Sequence, residues 1–211
     1  MLSLLRYKYL QFLEHRRQVG FFAAVWITFY KVEEMVPTVK DLNDLRTIPV
    51  PENRAPSILD LGPENFFAYA LDYPLRSRKA RADYYFSRGY RTFVMAEGQR
   101  VVGDMWYVTP KTARSPVIHP HVQWFGLKLA EKDAYLFDLQ VDAGQRGGGL
   151  TTSFHNRVLE ILRDRGFRKA YGCYVANNLP ALWMHRLIGY RELPRCIVRR
   201  FFQHEIVRPK A

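Results

Sequence analysis

The stretch that most limits what this chain can become lies at residues 134–162: AYLFDLQV, then DAGQRGGGL, then TTSFHNRVLEIL. Tyr135, Phe137, Leu139 and Val141 alternate with Leu136, Asp138 and Gln140, the period of a strand with one apolar and one partly polar face. Gly147, Gly148 and Gly149 then break the pattern. Leu150, Phe154, Val158, Leu159 and Leu162 follow at helical spacing, so an amphipathic helix is expected there. A strand that feeds a glycine turn at a helix N-terminus is an anion site in outline. Unpaired amides point outward, the helix dipole adds partial positive charge, and glycine admits a close ligand.

Two common occupants are excluded by spacing. A phosphate loop of the nucleotide-hydrolase kind needs Gly-Lys-Ser/Thr, which is absent. The dinucleotide fingerprint needs a glycine three positions after Gly149, where Thr152 stands. The run Arg146-Gly147-Gly148-Gly149-Leu150-Thr151 instead resembles the R-x-x-G-x-G/A signature of the GNAT superfamily of acyl-CoA N-acyltransferases. That family's strand with a hydrophobic-x-Val ending precedes it as Leu139-Gln140-Val141. Two departures are Thr151 in place of Gly or Ala, and Ala143-Gly144 where Pro-Glu or a similar pair is usual. Downstream, Asn178-Leu179-Pro180-Ala181 and Gly189-Tyr190 look like the second signature, strand–Asn-x-x-Ala–helix–Gly-Phe/Tyr. The resemblance is good over residues 92–202 and poor before them.

The resemblance implies a mixed α/β (α+β) fold, a mostly antiparallel sheet with helices on both faces. It also implies acetyl-CoA or another acyl-CoA as co-substrate, no metal, and direct attack by an amine on the thioester. Main-chain groups of Leu139, Gln140 and Val141 would bind the pantetheine arm, and the amides of Arg146, Gly147, Gly148, Gly149, Leu150 and Thr151 the pyrophosphate. Asn178 would touch coenzyme A further on. Where the family often has a tyrosine that protonates the leaving thiolate, seven residues after that Asn, this chain has His185. An imidazolium can do the same work, so His185 is the candidate acid; packing alone is the competing reading. Asp138, on the polar face of the central strand, is the candidate base, with an anchoring hydrogen bond as the alternative.

The remaining chain bounds these readings. Of 211 residues, 48% are hydrophobic and 25% charged, enough for a packed core and too apolar for a disordered chain. One acyltransferase domain is expected over 35–211, behind an N-terminal helical extension over 1–34. In that extension residues 2–18 and 21–30 read as helices, and the second is too short to span a bilayer. A strand is expected at 35–40, a connecting loop at 41–55, a first core strand at 56–61, a helix from 62 through Leu71, and a basic helix at 75–87. By the same resemblance Phe66, Phe67, Tyr69, Tyr84 and Tyr85 are candidates to line an acceptor cleft, with core packing as the competing reading. Residues 92–96 and 101–108 form a hairpin, and 109–133 a long loop in which His119 and His121 are a weak metal pair. Strands at 191–202 and 204–207 close the domain. Cys173 and Cys196 lie in expected strands, which fits a reduced, cytoplasmic protein. The net charge of +12 attracts anions. A small-molecule or peptide amine acceptor and a homodimer are the expected partners. A non-catalytic acyl-CoA-binding module, and a nucleic-acid or anionic membrane-surface binder using the basic helices, are the alternatives.

Overall fold

The computed structural model describes residues 2–46, 48, 56–146, 148–201 and 204–210. Three parts of the expected pattern fall partly outside them: the loop at 41–55, described only to Arg46 and at Ile48, Gly147 of the glycine turn, and Phe202 at the end of the strand expected at 191–202.

Helices α1 (Leu2–Val19) and α2 (Phe21–Phe29) come first; α1 packs on α3 (Arg76–Ser87), where the Arg81 guanidinium lies 4.6 Å over the Tyr7 ring, and α2 packs on α1. Among the described residues nine strands form one sheet: β1 (Tyr30–Asp41), β2 (Ser57–Leu61), β3 (Arg91–Glu97), β4 (Arg100–Val108), β5 (Asp133–Val141), β6 (Lys169–Val175), β7 (Arg191–Glu192), β8 (Cys196–Phe201) and β9 (His204–Pro209). Their order is β2-β3-β4-β5-β6-β1-β8-β9, with β7 against β1. All pairs are antiparallel except β5 with β6. Helices α5 (Leu150–Asp164) and α6 (Leu179–Ile188) cover one face; α3 and the short α4 (Pro120–Trp124) cover the other.

The mixed, mostly antiparallel sheet with helices on both faces matches the fold class expected from sequence. The stripe of α5 is buried as its spacing requires: Leu150, Phe154, Val158, Leu159 and Leu162 all enter the core. Burial of each such side chain stabilises by about 1.5–3 kcal/mol.

Two local expectations are corrected. The strand expected at 35–40 starts at Tyr30, five residues into what reads as extension, because residues 30–35 pair with Cys196–Phe201. The helix expected from 62 to Leu71 is only a 3₁₀ turn, Phe66–Tyr69. The Asn65 side chain accepts from the Gly62 amide at 2.8 Å, Ala70 is left-handed at φ 47°, and Asp72 bridges to Arg100. These anchors hold the segment in a shape that a regular helix cannot follow.

Candidate active site

Strands β5 and β6 pair only over Asp133–Tyr135 and Lys169–Tyr171. Beyond that they part, and a V opens between them. The cause lies on the other side of β5. Its register with β4 shifts between Asp104 and Trp106, so Asp138 and Leu139 stand opposite Met105 alone. Asp138 takes φ 54°, a left-handed conformation that aspartate tolerates better than most residues. This is a β-bulge, which bends its strand away from the ladder. At the apex, a side chain at Gly172 would come within 3.3 Å of the Leu136 carbonyl.

A buried ionic network fixes the bulge. Arg78 Nη1 donates to Asp138 Oδ1 at 2.8 Å and Nη2 to the Asp138 carbonyl at 3.1 Å. Arg78 also binds Asp104, and Arg81 binds the second Asp138 oxygen. The Tyr85 hydroxyl donates to Asp138 at 3.2 Å, and the Trp106 indole to Asp104 at 3.2 Å. Burial pushes the Asp138 carboxyl up, but Arg78 and Arg81 outweigh it and hold the group at about 2. This geometry supports the anchoring reading of Asp138 over the reading as a base: a carboxylate bound by two guanidinium groups gains little by taking a proton near neutrality.

The glycine turn lies past the open end of β5. Gly148 and Gly149 have φ of 54° and 81°, and a Cβ at either would meet nothing within 4 Å. No side chain caps α5 at Gly149, and the Ser153 amide returns to the Gly149 carbonyl at 2.9 Å. The amides before Ser153 have no helical carbonyl behind them. Leu150 is buried, Thr151 half-buried, and Arg146 turns back, its Nε donating to the Val141 carbonyl at 2.9 Å. Arg146 thus closes the turn with its side chain. Leu139 and Gln140 are half-buried along the V, and Val141 is buried.

His185 is buried on α6 between the rings of Tyr174, Tyr190 and His155. Its Nδ1 lies 2.7 Å from the Ala181 carbonyl; a carbonyl only accepts, so Nδ1 carries the proton and Nε2 is the lone-pair nitrogen. Burial lowers its pKa against the raising effects of Ala181 and Glu192, which favours the neutral ring. A neutral ring with its proton on Nδ1 has none on Nε2 to donate, so as a standing acid it is poorly set. Asn178 caps α6, its Oδ1 accepting from the Ala181 amide at 3.2 Å, and is otherwise exposed.

One residue escaped the sequence reading. His155 is buried on α5 beside His185, with Nε2 2.8 Å from the Tyr190 hydroxyl and Nδ1 without a partner. The signal was its position one turn after Thr151. On the opposite face, His121 Nδ1 lies 2.9 Å from the Tyr135 hydroxyl, which donates to Cys173 Sγ at 3.3 Å. Burial pushes the Cys173 thiol up to about 12, so it is protonated. His119 Nδ1 accepts from the His121 amide, and among the described residues no three His, Cys, Asp or Glu side chains gather as a metal site would require.

Of the cleft aromatics, Phe66 is core and Tyr85 packs against it, while Phe67 and Tyr69 are exposed. A groove of about 680 Å³ opens elsewhere on that face, between α4 and the β8–β9 hairpin, with Trp124, Phe125, Cys196 and Glu205 among its walls.

A V beside a bulged strand, closed by an open glycine turn, can take an extended ligand with a phosphate end. Compared with known proteins, residues 56–190 match the acetyltransferase (GNAT) family. The chain belongs to that family. No curated protein matches it in sequence. Among solved structures, it is similar to the GCN5-related glucosamine N-acetyltransferase region of a fungal multi-domain GH3 β-N-acetylglucosaminidase: TM-score 0.54, 18% identity, 89% of this chain and 23% of that one. It is also similar to a GNAT-family acetyltransferase of Colwellia psychrerythraea: TM-score 0.51, 12% identity, 95% of this chain and 73% of the other. At these identities the likeness is one of fold.

Proposed function

We propose that this GNAT protein transfers an acyl group, acetyl in the simplest case, from a coenzyme A thioester to a primary amine. The observation that carries the reading is the V between β5 and β6, with its bulge at one end and the uncapped amide turn of α5 at the other. The thioester supplies an activated acyl group. The chain supplies position and charge. Amides from Gly148 to Thr152 at a 15-residue helix N-terminus suit a diphosphate. The bulge frees main-chain donors along Asp138–Leu139 for a developing oxyanion.

Asp138 acts as a positioning residue that holds the bulge through Arg78 and Arg81. His185 Nε2 is the proposed proton relay: it takes the proton that the amine sheds as the C–N bond forms and hands it to the thiolate as the C–S bond breaks, while His155 and Tyr190 hold its ring. The amine approaches from the face of α1 and α3. There Lys8 is lowered to about 8 by burial and by nearby Arg200, Arg81 and Lys31. The same positive surroundings favour the neutral, nucleophilic form of an incoming amine.

The test is free-thiol release from acetyl-CoA across a library of primary amines, alongside calorimetric titration with coenzyme A. Micromolar binding and amine-dependent thiol release are expected. Binding without turnover on any amine would favour the non-catalytic acyl-CoA module. Failure to bind coenzyme A at all would overturn both.

A further inference from the structure

The surface formed by α2 and the outer corner of the sheet lies outside the V and its glycine turn. Helix α2 has the sequence FFAAVWITF, and only Ala24 and Thr28 are buried. Phe22 is 87% exposed and Trp26 63%, one helical turn apart and so on one side. The Trp26 ring packs on Tyr30 at 4.2 Å between centroids. From Tyr30 the apolar strip passes onto the sheet. Tyr30 stands opposite Phe201, Val32 opposite Arg199, and Arg199 opposite Ile206. Opposed residues of an antiparallel pair share a face, as do residues two apart. Val32, Phe201 and Ile206 therefore point the same way as Tyr30, and all three are exposed. A continuous apolar strip of this kind on a soluble domain marks a binding surface.

Charge decides the partner. Residues 2–34 and 195–210 hold ten Lys and Arg against four Glu. Every one of those glutamates is engaged: Glu14 by Ser77, Glu33 by Lys31, Glu34 by Arg195 and Lys210, and Glu205 by Arg200. Arg16, Arg17, Arg199 and Arg208 have no ion pair among the described residues. Arg199 lies within the strip; Arg208, opposite Ile197, shares its face; Arg16 and Arg17 end α1 beside the turn into α2. We propose that this strip docks on an anionic lipid bilayer, with Phe22 and Trp26 entering the headgroup boundary and the free arginines meeting lipid phosphates and carboxylates. No helix among the described residues is long and apolar enough to cross a membrane, so the mode is lying on the surface. A second copy related by twofold symmetry fits less well, because it would bring Arg199 and Arg208 near their own duplicates. A polyanionic nucleic acid fits less well because it offers no apolar medium for Phe22.

The inference stands apart from acyl transfer, and its test needs no activity. The full chain is sedimented with vesicles of phosphatidylcholine containing 30% phosphatidylserine, and with phosphatidylcholine alone, at physiological salt. Binding to the first at least tenfold above the second is expected. R199E/R208E and F22S/W26S should each lower it by tenfold or more. Brominated lipid should quench tryptophan emission in the intact chain, and W26F should lose most of that quenching. This second readout needs no disruptive variant. Equal binding to both vesicles, no binding, quenching unchanged in W26F, a micromolar dimer that vesicles do not dissociate, or tighter binding to single-stranded RNA would each overturn the proposal.

Discussion

Glu14 on α1 caps α3 from outside that helix: its carboxylate accepts from the Ser77 amide at 3.0 Å and from the Ser77 hydroxyl at 2.5 Å. Helix α3 has no side-chain cap of its own at Leu75 and no acid in its first turn. Glu14 supplies both the acceptor and the negative charge that an N-terminus favours. This contact ties the N-terminal helices to the element that holds the bulge. Glu14→Ala is expected to lower stability by about 1–2 kcal/mol, with Glu14→Gln recovering part of the loss. Urea unfolding measures both; an unchanged midpoint in Glu14→Ala would show that α1 is held by other contacts.

Asp138 gives a pH-dependent prediction. Its folded pKa of about 2 lies below the unfolded value of about 3.9. The stabilisation is thus present above about pH 4 and lost as pH falls through about 2. Asp138→Asn leaves Arg78 and Arg81 short of a partner and should cost about 3–5 kcal/mol at pH 7. The difference from the wild type should shrink toward pH 2. Lost turnover with unchanged stability would instead return Asp138 to the role of base.

The buried imidazoles act at milder acidity. Burial first, then Arg200, holds His121 at about 3; burial first, then His185, holds His155 at about 3. Between the ordinary value of about 6.5 and 3, the unfolded chain binds more protons than the folded one. Stability should fall on acidification below about pH 6.5, by up to about 1.4 kcal/mol per pH unit for each ring. His121→Gln and His155→Gln should each flatten that slope when unfolding is followed at pH 7, 5.5 and 4.5.

Gly149 tests the amide turn. At φ 81° a branched residue is strained by about 1–2 kcal/mol, and its side chain would stand in the open space beside the amides. Gly149→Val should weaken coenzyme A binding at least about tenfold, equivalent to about 1.4 kcal/mol. Calorimetric titration, with circular dichroism to confirm the fold, is the measurement. Unchanged affinity would move the phosphate site elsewhere.

The readable parts of the site were the local ones. The glycine turn, the apolar stripe of α5 and the Asn178–Tyr190 signature each sit in one short run of residues, and the folded elements fall where those runs place them. The partners of Asp138 were not readable, because they lie about 60 residues before it on α3. Nor was His155, whose meaning comes from α6 and Tyr190.

By itself, then, the sequence determined the strand, turn and amphipathic helix of residues 134–162, since hydrophobic period and glycine placement act over a few residues. It also determined the family, which those stretches carry in order. Only tertiary structure decided that the first strand enters the sheet between β6 and β8, that Arg78 and Arg81 hold the bulge, and that α2 leaves an apolar strip uncovered. Strand partners, ion pairs and exposed faces depend on what distant segments bring to the same place, and no local pattern contains that information.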